Sequence, residues 1–253
     1  MKAVKAIVLI VLVLGIIWRN QGQLKTYGAD AVPIKYVRTE GVFQYISKDE
    51  VKEVLMPLVM TGFFTADMQA IHQALAQMPW VASVSVKRVW PDAIDIKLRE
   101  KKAYVRWGQN GLLTEKGELF IPKNIDQFQE LPMVSGPESQ QKKLLEIMKG
   151  INTALADQSM ILAEFKVNDR WSWMLKLSNG MEIRLGHNEP LKKLQRFLKT
   201  LPLLGAEQVN AIAIADLRYT NGYAVSWKPE AAEIDWKKIV NPTHEITGQK
   251  NPI

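Results

Sequence analysis

The sequence predicts an α+β protein in three parts: an apolar N-terminal helix, a small strand-helix-helix-strand-strand unit, and a β-rich region with two helices that ends in a hairpin. Three observations predict it. Thirteen uncharged, almost wholly apolar residues lie near the N-terminus. Apolar residues then recur twice at helical spacing before the period drops to two. Two Asn-Gly pairs sit between alternating apolar runs farther along. Of the 253 residues, 47% are hydrophobic and 23% charged, with 15 Gly and 12 Pro. Most of the chain must therefore bury a core, and disordered, collagenous and solenoid classes are excluded.

The apolar run is Ala6, Ile7, Val8, Leu9, Ile10, Val11, Leu12, Val13, Leu14, Gly15, Ile16, Ile17 and Trp18, between Lys5 and Arg19. A spanning helix needs roughly 17 apolar residues or more, a length approached only if Ala3 and Val4 are included and Lys5 and Arg19 snorkel. The length also suits the apolar core of a signal peptide. Trp18-Arg19-Asn20-Gln21 follows, however, where a cleavage site needs small residues, and Ala29-Asp30-Ala31 lies too far downstream. The run therefore reads as an uncleaved anchor over 4–18 after a cytoplasmic stub over 1–5. Lys2 and Lys5 before it place the bulk of the chain across the membrane.

After a polar linker over 19–32, residues 33–101 form the small unit. Ser47-Lys-Asp-Glu50 is a capping box, and Val51, Val54, Leu55 and Leu58 follow on one helical face. Asp67 caps a second helix carrying Met68, Ile71, Leu75 and Met78, which Pro79 stops. The period then changes: Ala82, Val84 and Val86 alternate with polar residues, as do Ile94, Ile96 and Leu98 across a Trp90-Pro91-Asp92-Ala93 turn. This predicts a hairpin with one buried and one wet face.

Residues 102–228 are mainly strands. Pro137 is expected to open a helix with Leu144, Met148, Ile151 and Leu155 on one face, and Pro190 another with Leu191, Leu194 and Leu198 inward. Trp173, Leu175 and Leu177 lead through Asn179-Gly180 to Met181, Ile183 and Leu185. Ile212 and Ile214 lead through Asn221-Gly222 to Tyr223, Val225 and Trp227. Both pairs predict type I′ hairpins with two positive φ angles. Residues 229–253 read as a flexible tail without core.

No sequence motif here makes an active site. The absence of Cys excludes disulfides, thiolate metal sites and cysteine nucleophiles. His72, His187 and His244 show no metal or triad spacing, and no phosphate-binding or nucleophile-elbow signature occurs. Asp49/Glu50 and Asp92/Asp95 could be imagined as acid–base pairs, but capping and turn formation explain them. No catalytic, cofactor or metal residue is expected. The net charge of +7 invites a nucleic-acid reading, with Lys192, Lys193, Arg196 and Lys199 on one helix face and Trp171, Trp173 and Trp227 for stacking. A solvated helix face beside core tryptophans explains the same residues, so no nucleic-acid partner is expected. What remains is interaction through backbone. Tyr223 to Trp227 is a late hairpin arm that either lies open at a sheet edge, a template for strand addition, or is covered by loops or the tail.

The chain also resembles the bacterial FtsQ cell-division family, called DivIB in Gram-positive bacteria. The carrying phrases are Met78-Pro-Trp-Val-Ala-Ser-Val-Ser-Val-Lys-Arg-Val-Trp-Pro91, Ile94-Asp-Ile-Lys-Leu-Arg-Glu100 and Ala103-Tyr-Val-Arg-Trp107. Gly111-Leu-Leu-Thr-Glu-Lys-Gly-Glu-Leu-Phe120, Leu131-Pro-Met-Val-Ser-Gly136, Ser178-Asn-Gly-Met-Glu-Ile-Arg-Leu-Gly186 and Asp216-Leu-Arg-Tyr-Thr-Asn-Gly-Tyr-Ala-Val-Ser-Trp227 follow in order. The resemblance implies a POTRA domain over 33–101 and a β domain over 102–228. It further implies a non-catalytic, cofactor-free scaffold, single-pass in the inner membrane, periplasmic in bulk and enriched at the septum. Such a scaffold would recruit FtsB and FtsL, contact FtsK, and connect to the septal peptidoglycan synthases FtsW and FtsI. FtsB would add as a strand along Tyr219, Thr220, Asn221, Gly222, Tyr223, Ala224, Val225, Ser226 and Trp227, with Arg170 joining the contact. FtsK-type contacts are expected around Gln77 to Arg88. The alternative is another POTRA-bearing envelope protein that binds polypeptide clients by strand addition.

Overall fold

The computed structural model describes residues 32–41 and 43–233. The expected stub and anchor over 1–18, most of the linker, and residues 234–253 of the tail lie outside the described residues. Among the described residues, no helix is long and apolar enough to cross a membrane. The chain divides into two compact units between Lys102 and Ala103.

The first unit runs β1 (Tyr36–Glu40), α1 (Lys48–Val59), α2 (Met68–Ala76), β2 (Val81–Val89) and β3 (Ala93–Glu100), in the predicted order. Both helix starts follow from local chemistry. Ser47 Oγ accepts from the Glu50 amide (3.0 Å) while the Glu50 carboxylate accepts from the Ser47 amide (3.1 Å). Asp67 Oδ1 accepts from the amides of Gln69 and Ala70. Together these satisfy amides that no helical carbonyl can reach. The sheet order is β1-β3-β2, with β1 parallel and β2 antiparallel to the central β3. Burial follows centrality. Ile94, Ile96 and Leu98 of β3 are buried, as are Val51 and Leu55 of α1 and Ile71 and Leu75 of α2. Val84 and Val86 of edge strand β2 are only half-buried, and Ala82, expected inside, is exposed beside a register shift between Val81 and Ser83. Every residue of β1 is exposed. The Glu100 carboxylate ends β3 by accepting from three successive amides, Gln44, Tyr45 and Ile46, which fixes the entry to α1.

The second unit holds one nine-stranded sheet. Its elements are β4 (Val105–Trp107), β5 (Gly111–Leu113), β6 (Leu119–Phe120), β7 (Met133–Ser135), α3 (Gln141–Ala156), β8 (Leu162–Val167), β9 (Trp173–Leu177), β10 (Glu182–Gly186), α4 (Pro190–Thr200), α5 (Ala206–Ala211), β11 (Ile212–Asp216) and β12 (Ala224–Trp227). The order is β12-β11-β10-β9-β8-β7-β4-β5-β6, with β4/β7, β7/β8 and β10/β11 parallel. A parallel neighbour needs a crossover, and helices supply two of them: α3 links β7 to β8, and α4 with α5 links β10 to β11. Leu144, Met148, Ile151 and Leu155 of α3 and Leu194 and Leu198 of α4 join Phe165, Leu175, Ile183 and Ile212 in one core.

Several expectations are corrected. The second unit has three α-helices rather than two, because Ala206–Ala211 is too short to show a period. Helix α3 starts at Gln141, four residues after Pro137, since Ser139 at φ 63° breaks the approach. Pro190 does open α4, but Leu191 is 40% exposed, and Phe197 takes the inward place beside Leu194 and Leu198. At Asn179-Gly180 only Gly180 has positive φ (86°). The Gly180 amide donates to the Leu177 carbonyl and the Leu177 amide to the Met181 carbonyl, so the loop is three residues long with Gly180 as a bulge, not a two-residue type I′ turn. Neither Asn221 nor Gly222 has positive φ; that hairpin closes at Asp216 and Ala224, leaving a seven-residue connection. Beyond Lys228, Pro229–Glu233 forms a 3-10 turn with Ala231 buried, so the residues after 228 do contribute to the core.

Candidate functional site

Strand β12 lies at one end of the nine-stranded sheet and β6 at the other; β12 is paired on one side with β11 and, among the described residues, with no strand on its other side. An edge strand carries a row of backbone donors and acceptors aimed outward. Ala224, Ser226 and Trp227 are exposed, while Val225, opposite the buried Ala215, packs against the core. The predicted segment therefore splits in two. Ala224, Val225, Ser226 and Trp227 are strand; Tyr219, Thr220, Asn221, Gly222 and Tyr223 are the loop that delivers it.

That loop is held by helix α4. Lys193 Nζ donates to the Arg218 carbonyl (3.1 Å) and Arg196 to the Thr220 carbonyl (3.3 Å). The Tyr223 hydroxyl is 2.7 Å from Thr200 Oγ1, and its ring meets Phe197 edge to face at 5.1 Å. The basic face of α4 is thus partly engaged: Lys193 and Arg196 bind the loop and Lys192 pairs with Glu189. Leu217 anchors the loop start, fully buried, its amide donating to the Arg184 carbonyl (2.8 Å).

Sequence reasoning missed Arg218. Its guanidinium clasps Asp216 in a two-pronged pair, Nε to Oδ1 at 2.9 Å and NH2 to Oδ2 at 2.6 Å, and its amide also donates to Oδ1. The hydrogen bond from this guanidinium holds the Asp216 carboxyl below the usual carboxylate range. Asp216 is shielded while Arg218 is more than half exposed, so an ion pair stands at the loop's base with its guanidinium toward solvent. The signal was the Asp-x-Arg spacing of Asp216 and Arg218, which carries meaning only once the strand end is known.

Arg170 occupies the β8–β9 turn, exposed, its amide donating to Asn168 Oδ1 (3.0 Å). Strand pairing puts this turn at the same end of the sheet as the 217–223 loop, since Val167 faces Trp173, Trp173 faces Gly186, Arg184 faces Asp216 and Asp216 faces Ala224. Two strands lie between β9 and β12, about 14 Å of sheet from one to the other. Arg170 therefore shares the end of the sheet with the edge strand but not the edge. The anchor residues Ala6 to Trp18 lie outside the described residues.

The other chemistry candidates have structural partners. Asp92 pairs with Lys35 (3.2 Å) and Asp95 with Arg38 (3.4 Å), while Glu50 caps α1. His72 and His187 are exposed. Trp173 is buried edge to face against Phe165, and the Lys143 ammonium stands 4.0 Å above the ring of Trp171. Among the described residues, no group of three His, Asp or Glu side chains is placed to hold a metal ion.

Comparison with known proteins covers both units. Residues 32–101 match a family model described as POTRA domain, FtsQ-type, and residues 103–218 match Cell division protein FtsQ/DivIB, C-terminal. The second match ends at Arg218, so the loop tip and β12 lie just past it. The cell division protein FtsQ of Methylomonas methanica is 54% identical over 222 residues, 88% of this chain and 89% of that protein. The FtsQ proteins of Xanthomonas campestris pv. campestris (34% over 216 residues; 85% and 77%) and Hahella chejuensis (31% over 198 residues; 78% and 71%) are similar over most of their lengths. With both units matched in order and relatives aligned across them, the chain belongs to the FtsQ/DivIB family of bacterial cell-division proteins.

Proposed function

We propose that this chain is a non-catalytic scaffold of the division machinery. The run over 4–18 holds it in the inner membrane with its N-terminus in the cytoplasm, and both described units work in the periplasm at the septum. It recruits FtsB and FtsL through β12, contacts FtsK through the first unit, and so connects early division proteins to the peptidoglycan synthases FtsW and FtsI. One observation carries the reading: among the described residues the last strand pairs with no strand beyond β11, and its approach loop is fixed by α4. A partner strand added there completes a backbone ladder without reorganising its template, which lowers the ordering cost of binding. Exposed Tyr219 and Trp227 flank the edge and supply the aromatic contacts that dominate many interfaces. Arg170, at the same end of the sheet, meets whatever flanks the added strand.

The test is a titration of the full chain in detergent against the FtsB–FtsL pair of the same organism. Saturable one-to-one binding is expected, weakened by more than about 1 kcal/mol in Trp227→Ala. Val225→Lys weakens it as well, but it also loosens the fold, because Val225 packs inward. Unaltered affinity in Trp227→Ala, Tyr219→Ala and Val225→Lys would remove β12 as the site. Depletion of the protein is expected to give filamentous cells; normal division would overturn the scaffold role.

A further inference from the structure

Three connections of the first unit meet at one end of its sheet. The chain enters there: the Lys35 amide donates to the Asp92 carbonyl in the β2–β3 turn (2.9 Å), and the Phe63 amide donates to the Val32 carbonyl (2.8 Å). Phe63 belongs to the segment that joins α1 to α2. Arg88, two residues before the turn, ties the same segment down by donating to the Ala66 carbonyl (2.7 Å). The inner residues of this end serve the core: Phe63 and Ala66 are buried, and the Arg88 guanidinium lies 5.5 Å over the Phe63 ring. The outer ones do not. Met60 is 78% exposed, Phe64 50% and Trp90 77%.

The opposite end of the same sheet is built differently. Tyr45 and Trp80 stack there at 4.2 Å, Trp80 is buried, and no large apolar side chain among the described residues of that end stands out in water. Apolar residues scattered singly over a surface are ordinary, but three large ones gathered at one end mark a contact surface. The charge beside them is basic. Lys87 is exposed and makes no ion pair among the described residues. The nearby carboxylates are engaged, Asp92 with Lys35 (3.2 Å) and Asp67 with the first amides of α2. The course of the chain says what lies beyond. Residues 19–31 alone separate Val32 from the apolar run that ends at Trp18, and thirteen residues reach at most about 45 Å.

We propose that this end of the first unit lies against the periplasmic surface of the inner membrane, with Trp90, Phe64 and Met60 in the headgroup region and Lys87 toward anionic headgroups. The proposal rests on the reading of 4–18 as a membrane anchor. Tryptophan suits that depth because its ring is apolar while its N–H still finds a polar partner, and a neighbouring cation adds attraction to anionic lipid. The hydrogen bonds at Val32, Ala66 and Asp92 hold the three connections in place, so the surface needs little ordering to bind. An anchor joined by a linker leaves a domain free to swivel. A second contact with the bilayer fixes which side of the unit is turned to its partners.

The chain has no Cys, so a single one can be introduced as a reporter. The test uses the full chain reconstituted in vesicles of phosphatidylethanolamine and phosphatidylglycerol. Bimane is attached to Thr65→Cys, next to Phe64, or to Gln77→Cys at the opposite end, and lipid with a nitroxide on its headgroup is the quencher. Quenching about threefold stronger at position 65 than at position 77 is expected. In Trp90→Ser/Phe64→Ser, with its melting temperature unchanged, it should fall to the level of position 77. Trp90→Ser alone changes a side chain that stands mostly in water, and it should remove about half the difference, which keeps the test decisive if the double variant is unstable. Extraction with alkaline carbonate separates the two ways of failing. A chain stripped from the vesicles overturns the anchor and the contact together, whereas a chain that stays but is quenched equally at both positions overturns the contact alone. Quenching that neither variant lowers would overturn it too. So would quenching that vanishes at one chain per vesicle, which would assign the surface to a second copy.

Discussion

Gly180 and Gly222 both follow an asparagine, yet the backbone asks different things of them. Gly180 sits at φ 86°, where a side chain is strained whatever the space around it; Gly222 has ordinary φ and open surroundings. Gly180→Ala is therefore expected to cost about 1 kcal/mol in urea unfolding, and Gly222→Ala to stay within about 0.5 kcal/mol or stabilise slightly. Asp216 makes a pH prediction. Its carboxyl is held below the ordinary range in the folded chain, so the Arg218 pair stabilises above the unfolded value near 4 and is lost as pH falls through the lowered folded value. Below about pH 4 the parent should lose stability faster than Asp216→Asn; parallel acid-unfolding curves would refute this. Residue-level chemistry was legible in the sequence where partners are local, as in the caps at Ser47 and Asp67. Periodicity alone could not decide between Leu191 and Phe197, because a turn of 3.6 residues leaves both near the apolar stripe.

At the scale of elements, β12 is four residues long and depends on α4 for its approach. Lys193 and Arg196 reach carbonyls at the base and crest of the loop from more than 20 residues away in sequence. Lys193→Met with Arg196→Met should speed amide exchange over 218–223 and leave the global unfolding free energy within about 1 kcal/mol. Unchanged exchange there would mean that Leu217 and Tyr223 suffice. Such contacts had no signature in the sequence: the basic helix face looked like one turned wholly to solvent. The hairpins were legible as strand pairs but not as turns, since an Asn-Gly pair fits a three-residue bulged loop as well as a two-residue one. The parallel pairings β4/β7, β7/β8 and β10/β11 were not legible, because strand neighbours depend on crossovers rather than on the alternation within any strand.

For the molecule as a whole, the boundary read between 101 and 102 falls within a residue of the break between the two compact units. Each unit has its own sheet and core. A fragment of residues 103–233 is therefore expected to unfold cooperatively by itself, and Leu175→Ala within it to cost about 2–5 kcal/mol, because that side chain is fully enclosed. A fragment lacking cooperative melting would show that the second unit needs the first. The outermost place of β12 has one more consequence. It shields β11, whose Ile212-Ala-Ile-Ala215 run is apolar and free of charge, from the surrounding water. A chain broken off before Ala224 would do more than lose a docking strand. It would lay bare a neutral, sticky ribbon on which further copies could stack, so nonsense truncations that end the chain before Ala224 should accumulate as aggregates rather than as inactive soluble protein.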